Sequence, residues 1–122
     1  MNLLNKIKSL SEEYAAQTVQ WRRHLHAHPE LSYKEFNTSK FVAEQLKSFG
    51  IESKVVATTG LVALIKGKNP DKKTTALRAD MDALPINEIS EASYKSTNPG
   101  VMHACGHDVH TSSLLGTAKI LQ

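Results

Sequence analysis

Cysteine is almost missing from this chain. Cys105 is the only one, which excludes an intrachain disulfide and suits a reducing compartment, so a cytoplasmic protein is expected. Long apolar runs are missing too, which excludes a helical membrane span. The opening stretch from Met1 to Leu10 interleaves Lys6 and Lys8 with Leu3, Leu4 and Ile7, where a secretory signal needs an unbroken apolar core. Aromatic residues make up only 6%, and the net charge of +3 is spread along the chain. Only Lys66, Lys68, Lys72 and Lys73 cluster, around a turn at Pro70 and Asp71, so no nucleic-acid footprint is expected. Repeats, low-complexity tracts and linkers are absent. What remains is an ordinary globular composition, 40% hydrophobic and 22% charged over 122 residues, enough for one domain with a real core.

The apolar positions Leu3, Ile7, Leu10, Tyr14, Trp21 and Leu25 form one stripe of an amphipathic helix, with Thr18 at the missing step. The spacing predicts a helix over 3–27, ending before Pro29 because a residue preceding proline is pushed out of helical geometry. Ser32-Tyr33-Lys34-Glu35 reads as a capping box, and Leu31 with Phe36 as a hydrophobic staple. Gly50 reads as a left-handed stop with Ile51 packing back on Leu46, so a second helix is expected over 33–49. Three strands are predicted at 54–57, 61–66 and 74–79, the second and third as an antiparallel hairpin around Asn69-Pro70-Asp71. Leu61 to Ile65 is apolar without alternation, so both of its faces are expected to be covered. A last helical pattern starts at Asp108, the expected N-cap, and is still running at Gln122. The expected fold class is α/β, with helices packed on a mixed β-sheet in a partial layered sandwich.

Three stretches carry chemistry. Met102-His103-Ala104-Cys105-Gly106-His107-Asp108-Val109-His110 packs three histidines, a cysteine and an aspartate into nine residues. Thiolate and imidazole are preferred ligands for zinc and similar divalent metals. In an extended or looped segment Cys105 and His107, two apart, fall on one side. This pair supplies two ligands where a site needs three or four, and a buried structural cysteine with surface histidines fits the same residues. Arg78-Ala79-Asp80-Met81-Asp82-Ala83-Leu84-Pro85 places two carboxylates after a strand. A carboxylate there can accept the second N–H of a ligating histidine and set its tautomer, or can simply pair with Arg78. His24, His26 and His28 resemble a chelating tract, but alternate residues of a helix point about 200° apart, so a helix end and turn accounts better for them.

These stretches occur in an order that resembles one family. Arg22-Arg23-His24-Leu25-His26-Ala27-His28-Pro29-Glu30-Leu31-Ser32, then Leu77-Arg78-Ala79-Asp80-Met81-Asp82-Ala83-Leu84-Pro85-Ile86, then Met102-His103-Ala104-Cys105-Gly106-His107-Asp108, resemble the amidohydrolase branch of the aminoacylase/carboxypeptidase metallopeptidases. That branch includes hippurate hydrolases, N-acyl-amino-acid amidohydrolases and plant auxin-conjugate hydrolases. The resemblance implies that Cys105 and His107 are metal ligands and that Asp82 is the catalytic aspartate orienting a group on the metal. It implies supporting roles behind the ligands for His103, Asp108 and Asp80. Asp80 stands where related peptidases outside the branch carry a ligating histidine.

The resemblance also implies one or two divalent ions (zinc, manganese, nickel or cobalt) and a small N-acyl amino acid or peptide as substrate. The family's catalytic glutamate, its later Glu and His ligands, and a small inserted domain that often mediates homodimer formation have no counterpart in these residues. The expectation is therefore that residues 1–122 are the N-terminal part of a catalytic domain, inactive alone. The competing readings are a small self-contained metal-binding module and a basic interaction domain.

Overall fold

The computed structural model describes residues 2–122; Met1, the first residue of the stretch read for a signal sequence, lies outside the described residues. In chain order the elements are helix α1 (Leu3–Ala27), helix α2 (Phe36–Ser48), strand β1 (Ser53–Val56), strand β2 (Gly60–Ala63) and helix α3 (His107–Leu121). The α/β class is as expected. No helix among the described residues is long and apolar enough to cross a membrane.

Helix α1 has the expected bounds. Its apolar stripe is covered only from about Leu10 onward, while Leu3 and Leu4 stay exposed. Asn2 caps its start, accepting the Asn5 N–H at 2.8 Å. Helix α3 runs along α1, and Gly116 makes the close approach possible: a Cβ there would stand 3.1 Å from Thr18 Oγ1. Trp21 of α1 then meets Val42 and Leu46 of α2, Ile51 and Leu115 in one buried cluster. Its indole N–H donates to Gln45 Oε1 at 3.0 Å, satisfying the one polar atom that a buried tryptophan brings.

The two ends of α2 differ in how well the sequence announces them. At the C-terminus the Ile51 N–H donates to Leu46 O at 3.0 Å and the Gly50 N–H to Lys47 O at 2.9 Å, with Gly50 at φ +81°, which is the expected Schellman arrangement. At the N-terminus the capping box and staple do not form. Tyr33 takes a left-handed φ of 62°, so the chain turns before it coils and the helix begins at Phe36. Phe36 is exposed, Ser32 donates to Asp82 instead, and buried Glu35 accepts the Thr59 hydroxyl at 2.7 Å. The capping carboxylate is Glu30, which accepts the Thr38 N–H at 2.6 Å and the Asn37 N–H at 3.2 Å.

The strands pair differently from the expectation. β1 and β2 form the antiparallel hairpin, in register Ser53↔Ala63 to Val56↔Gly60, turning through Ala57 and Thr58 at φ 47° and 75°. The stretch 74–79 is neither helix nor strand and has no ladder partner among the described residues, so the hairpin around Asn69-Pro70-Asp71 is absent. Leu61 and Ile65 pack on the core while Val62 and Leu64 are exposed, so only one face of that run is covered here, not both. Beyond the hairpin, two isolated bridges hold the chain in place: Leu31↔Ala83, parallel, and Leu84↔Met102, antiparallel. They stitch the aspartate segment between the turn after α1 and the segment leading into α3.

The corrected capping assignment is testable by urea unfolding. Glu30→Ala, which leaves two helix N–H groups without an acceptor, is expected to cost about 1–2 kcal/mol, in the range of a lost helix cap. Ser32→Ala is expected to cost less than Glu30→Ala, because it removes one exposed hydrogen bond to Asp82 and leaves both helix N–H groups with their acceptor. The reverse ranking would restore the capping box.

Candidate metal centre

The bridge between Leu84 and Met102 sets the aspartate segment beside the start of α3. His107 opens that helix, and its Nδ1 lies 2.9 Å from Asp82 Oδ1 and 2.9 Å from Asp82 O. Both partners can only accept, so Nδ1 carries a hydrogen, and in the neutral ring the Nε2 lone pair is the one left for a ligand. The other carboxylate oxygen, Asp82 Oδ2, accepts the Ser32 hydroxyl at 2.6 Å. The Ser32 hydroxyl holds the Asp82 carboxyl below the usual carboxylate range; partial burial opposes this, and the Asp82 backbone and His107 add to it. Asp82 is thus an ionised carboxylate clamped between a donor behind it and an imidazole in front.

Asp80, two residues earlier, does something else. Its carboxylate takes an exposed bidentate pair from Arg78, with Nη2 at 2.6 Å and Nε at 3.1 Å, and its carbonyl accepts the Thr111 hydroxyl at 2.8 Å. It braces the loop against α3.

Cys105 is an exposed free thiol, separated from His107 by Gly106. Gly106, at φ +131°, is the N-cap of α3, a conformation closed to residues with a side chain. The helical pattern alone puts the N-cap at Asp108, but that residue sits inside the first turn, 1% exposed. Its Oδ1 accepts the Val109 N–H at 3.0 Å, while Oδ2 accepts Arg22 Nε–H at 3.0 Å and lies 2.7 Å from His26 Nδ1. His103 is 6% exposed, and neither of its ring nitrogens has a hydrogen-bond partner. Burial pushes its pKa down, with the Asp108 charge pulling back; His26 and His107 add to the fall and Asp82 opposes it. His110 is exposed, its ring 5.8 Å from that of His107.

The structure therefore brings Asp82 to His107 and seats Asp108 and His103 close behind the same end of α3. Among the described residues it groups no three His, Cys, Asp or Glu side chains as a metal site. The donors nevertheless suit a divalent transition metal: a pre-set imidazole Nε2, a nearby exposed thiol, and a buried histidine with unspent nitrogens. The reading of the histidine tract as a helix end holds in part. His24 stacks on Phe41 at 4.1 Å and His28 bonds back to the His24 carbonyl, whereas His26 is buried.

Sequence reasoning overlooked two residues here. His26 Nε2 lies 2.9 Å from Glu88 Oε1, and both side chains are about 5% exposed or less. Burial alone would raise the Glu88 pKa, but the Ser90 hydroxyl, the Ser96 N–H and His26 outweigh it and hold it at about 2. Glu88 sits in an unpatterned stretch, so only its reach across the fold identifies it. The signal for His26 was its place on the buried face of α1, one turn after Arg22.

The order of the three motifs is that of the expected family, and the profile of peptidase family M20/M25/M40 matches residues 76–122. It is 53% identical over 116 residues to an N-acyl-L-amino acid amidohydrolase of Geobacillus stearothermophilus, covering 94% of this chain and 31% of the relative. It is 48% identical over 122 residues to a hippurate hydrolase of Campylobacter jejuni, covering 99% of this chain and 30% of that one. The fold superposes with TM-score 0.85, at 44% identity, on a Bacillus subtilis crystal structure described as a dinuclear metal binding peptidase of the M20 family. That match takes in 90% of this chain and 31% of the other. The chain thus spans about 31% of the length of such relatives.

The role of Ser32 is open to measurement. In a carboxyl-carbon NMR titration, Ser32→Ala is expected to move the Asp82 midpoint up toward its ordinary value, because the largest cause of the depression is removed. The sign comes from linkage. A carboxyl depressed by folding contributes stability above its unfolded pKa and loses it as pH falls through the folded one. The variant should lose that contribution at higher pH than the parent. An unmoved midpoint would assign the depression to the Asp82 backbone and His107 instead.

Proposed function

We propose that these residues form the N-terminal part of the metal-binding catalytic domain of a metal-dependent amidohydrolase. Its reaction is cleavage of the amide bond of N-acyl amino acids, or of similar small conjugates and peptides. The observation that carries this reading is the clamp of Asp82 on His107 Nδ1, which leaves Nε2 as a ligand. The names of the similar relatives, N-acyl-L-amino acid amidohydrolase and hippurate hydrolase, support the substrate class.

In this reading His107 Nε2 and the Cys105 thiolate hold one or two divalent ions: zinc, manganese, nickel or cobalt. When bound, such an ion supplies a Lewis acid that polarises the scissile carbonyl and acidifies water. Asp82 orients His107 and, through its charge, raises the basicity of the ring. Asp108 fixes the helix turn that carries His107, Asp80 braces the loop, and His103 offers its unspent nitrogens to the filled site. A cytoplasmic setting would keep Cys105 reduced. The self-contained metal module is the weaker reading, since a closed zinc site takes four protein ligands and no group of three is assembled among the described residues.

The test joins residues 1–122 to the remaining two-thirds of the Geobacillus stearothermophilus relative. Metal-dependent hydrolysis of N-acetyl or N-benzoyl amino acids is expected from the chimera and none from residues 1–122 alone. A folded, metal-loaded chimera without turnover, or turnover by the short chain, would sink the proposal. In the active protein Cys105→Ala is expected to lower bound metal and rate together with the fold intact. Full metal and full rate in that variant would make the thiol structural.

The two aspartates separate in the same assay. Asp82→Asn is expected to cut activity about 10–100-fold with a modest loss of metal, as removal of a ligand's hydrogen-bond partner does. Asp80→Asn is expected to be milder, because it loses only the Arg78 pair and its carbonyl bond to Thr111 survives. Equal effects at saturating metal would shift the motif assignment by one step.

A further inference from the structure

We propose that His26 and Glu88 are positioning residues for the ligand-bearing end of α3, acting through a buried ionic relay that runs from Glu88 through His26 to Asp108. The proposal deepens the function proposed above and rests on it for the role of His107.

The relay is built from side chains of α1, α3 and the loop between them. Glu88 gathers its own loop: Oε2 accepts the Ser96 N–H at 2.6 Å, and Oε1 accepts the Ser90 hydroxyl at 2.6 Å. The same Oε1 faces His26 Nε2 at 2.9 Å, and the other ring nitrogen faces Asp108 Oδ2 at 2.7 Å. Carboxylate oxygens only accept, so each ring nitrogen is placed to donate, and in the proposed relay the imidazole carries hydrogen on both. Arg22, its side chain 30% exposed, brings a guanidinium to Asp108 Oδ2 and sets Nη2 3.4 Å from His26 Nδ1; with His26 doubly protonated the set is neutral, two carboxylates against one guanidinium and one imidazolium. Tyr94 of the loop closes over it, its ring edge-on to His26 at 5.7 Å, with Arg22 and Arg23 over its face at 5.2 and 4.8 Å.

Stability alone does not call for such an arrangement. Replacing a buried ion network by apolar residues of similar volume is often neutral or stabilising, because desolvation consumes the Coulombic gain. What the network adds over an apolar contact is direction. Asp108 can satisfy Arg22, His26 and its own Val109 N–H only with the first turn of α3 in one orientation. That turn begins with His107, one residue away and held to Asp82. On the loop side, Ser96 passes the constraint on: its hydroxyl donates to Val101 O at 2.7 Å, beside the Met102 bridge that leads to His103 and Cys105. Both strands of backbone that enter the metal centre are thus referred to one imidazole.

The experiment uses the chimera described above with ¹⁵N-labelled histidine, comparing the parent with Glu88→Gln and Glu88→Asp. Long-range proton–nitrogen spectra of the parent are expected to show His26 protonated on both nitrogens and His107 as the Nδ1–H tautomer. In Glu88→Gln the His107 signals should move toward mixed tautomers. kcat on an N-acyl amino acid should fall about 10–100-fold, the range for an outer partner of a metal ligand, with KM within about twofold and cooperative unfolding retained. Glu88→Asp, with charge kept and reach shortened, should recover part of the loss, and it carries the comparison alone if the Gln variant does not fold. Either of two results overturns the proposal: a His26 with a single ring N–H in the parent, or folded variants in which His107 tautomer and kcat both stay unchanged. An inactive parent would instead count against the hydrolase reading, and the histidine spectra would still decide the relay.

Discussion

A carboxylate that is 1% exposed must find its compensation inside the protein, and Asp108 finds it on another helix. Arg22 and His26 are one turn apart on α1, so they approach Asp108 from one face and draw the start of α3 against the end of α1. The rest of the helix pair obeys the same geometry. With that end fixed, α3 continues along α1 and reaches Thr18 at Gly116, where a β-carbon would press on the threonine hydroxyl at 3.1 Å. Trp21 lies between these two contacts, and the apolar cluster with α2 forms around it. Polar pairing sets the orientation and apolar burial supplies the adhesion.

The candidate metal centre inherits its geometry from this packing. His107 precedes Asp108 directly, so fixing one fixes the other, and Asp82 is delivered to it by backbone bridges on both sides. The two aspartates of the Asp80-Met81-Asp82 run look equivalent in sequence, yet one meets an imidazole and the other an exposed guanidinium. Ser32 shows the same economy of position. It leaves the helix it seemed designed to cap and serves the carboxylate that orients His107.

Much of the fold is legible in the sequence wherever one local rule governs. The stripe from Leu10 to Leu25 and the Gly50 stop are local patterns with strong physics, and both are present. The motif order points to the family and singles out Asp82, Cys105 and His107. The failures come where a distant partner decides. Tyr33 adopts a left-handed conformation that only its context supports, which displaces the capping box. Ala57 and Thr58 turn a hairpin without the glycine or asparagine that usually announces one, so the expected pairing falls one strand late. His26 reads in sequence as one of three histidines at a helix end, and Glu88 has no pattern around it at all. Buried ionic partners 62 and 82 residues apart leave no periodicity to read.

The hairpin has a practical side. β1 and β2 each keep one edge without a partner among the described residues, and Val55, Val56, Val62 and Leu64 are exposed along them. Free N–H and C=O groups beside β-branched and aliphatic side chains make a template for intermolecular strand addition. Residues 64–82 add a stretch outside helix and strand, with a single turn closed by the Lys72 N–H on Asn69 O. In the isolated polypeptide this hairpin is thus the place where a second copy can add a strand. Lysines at 54 and 66 flank the apolar stretch as like charges, so low ionic strength is the condition that keeps copies apart.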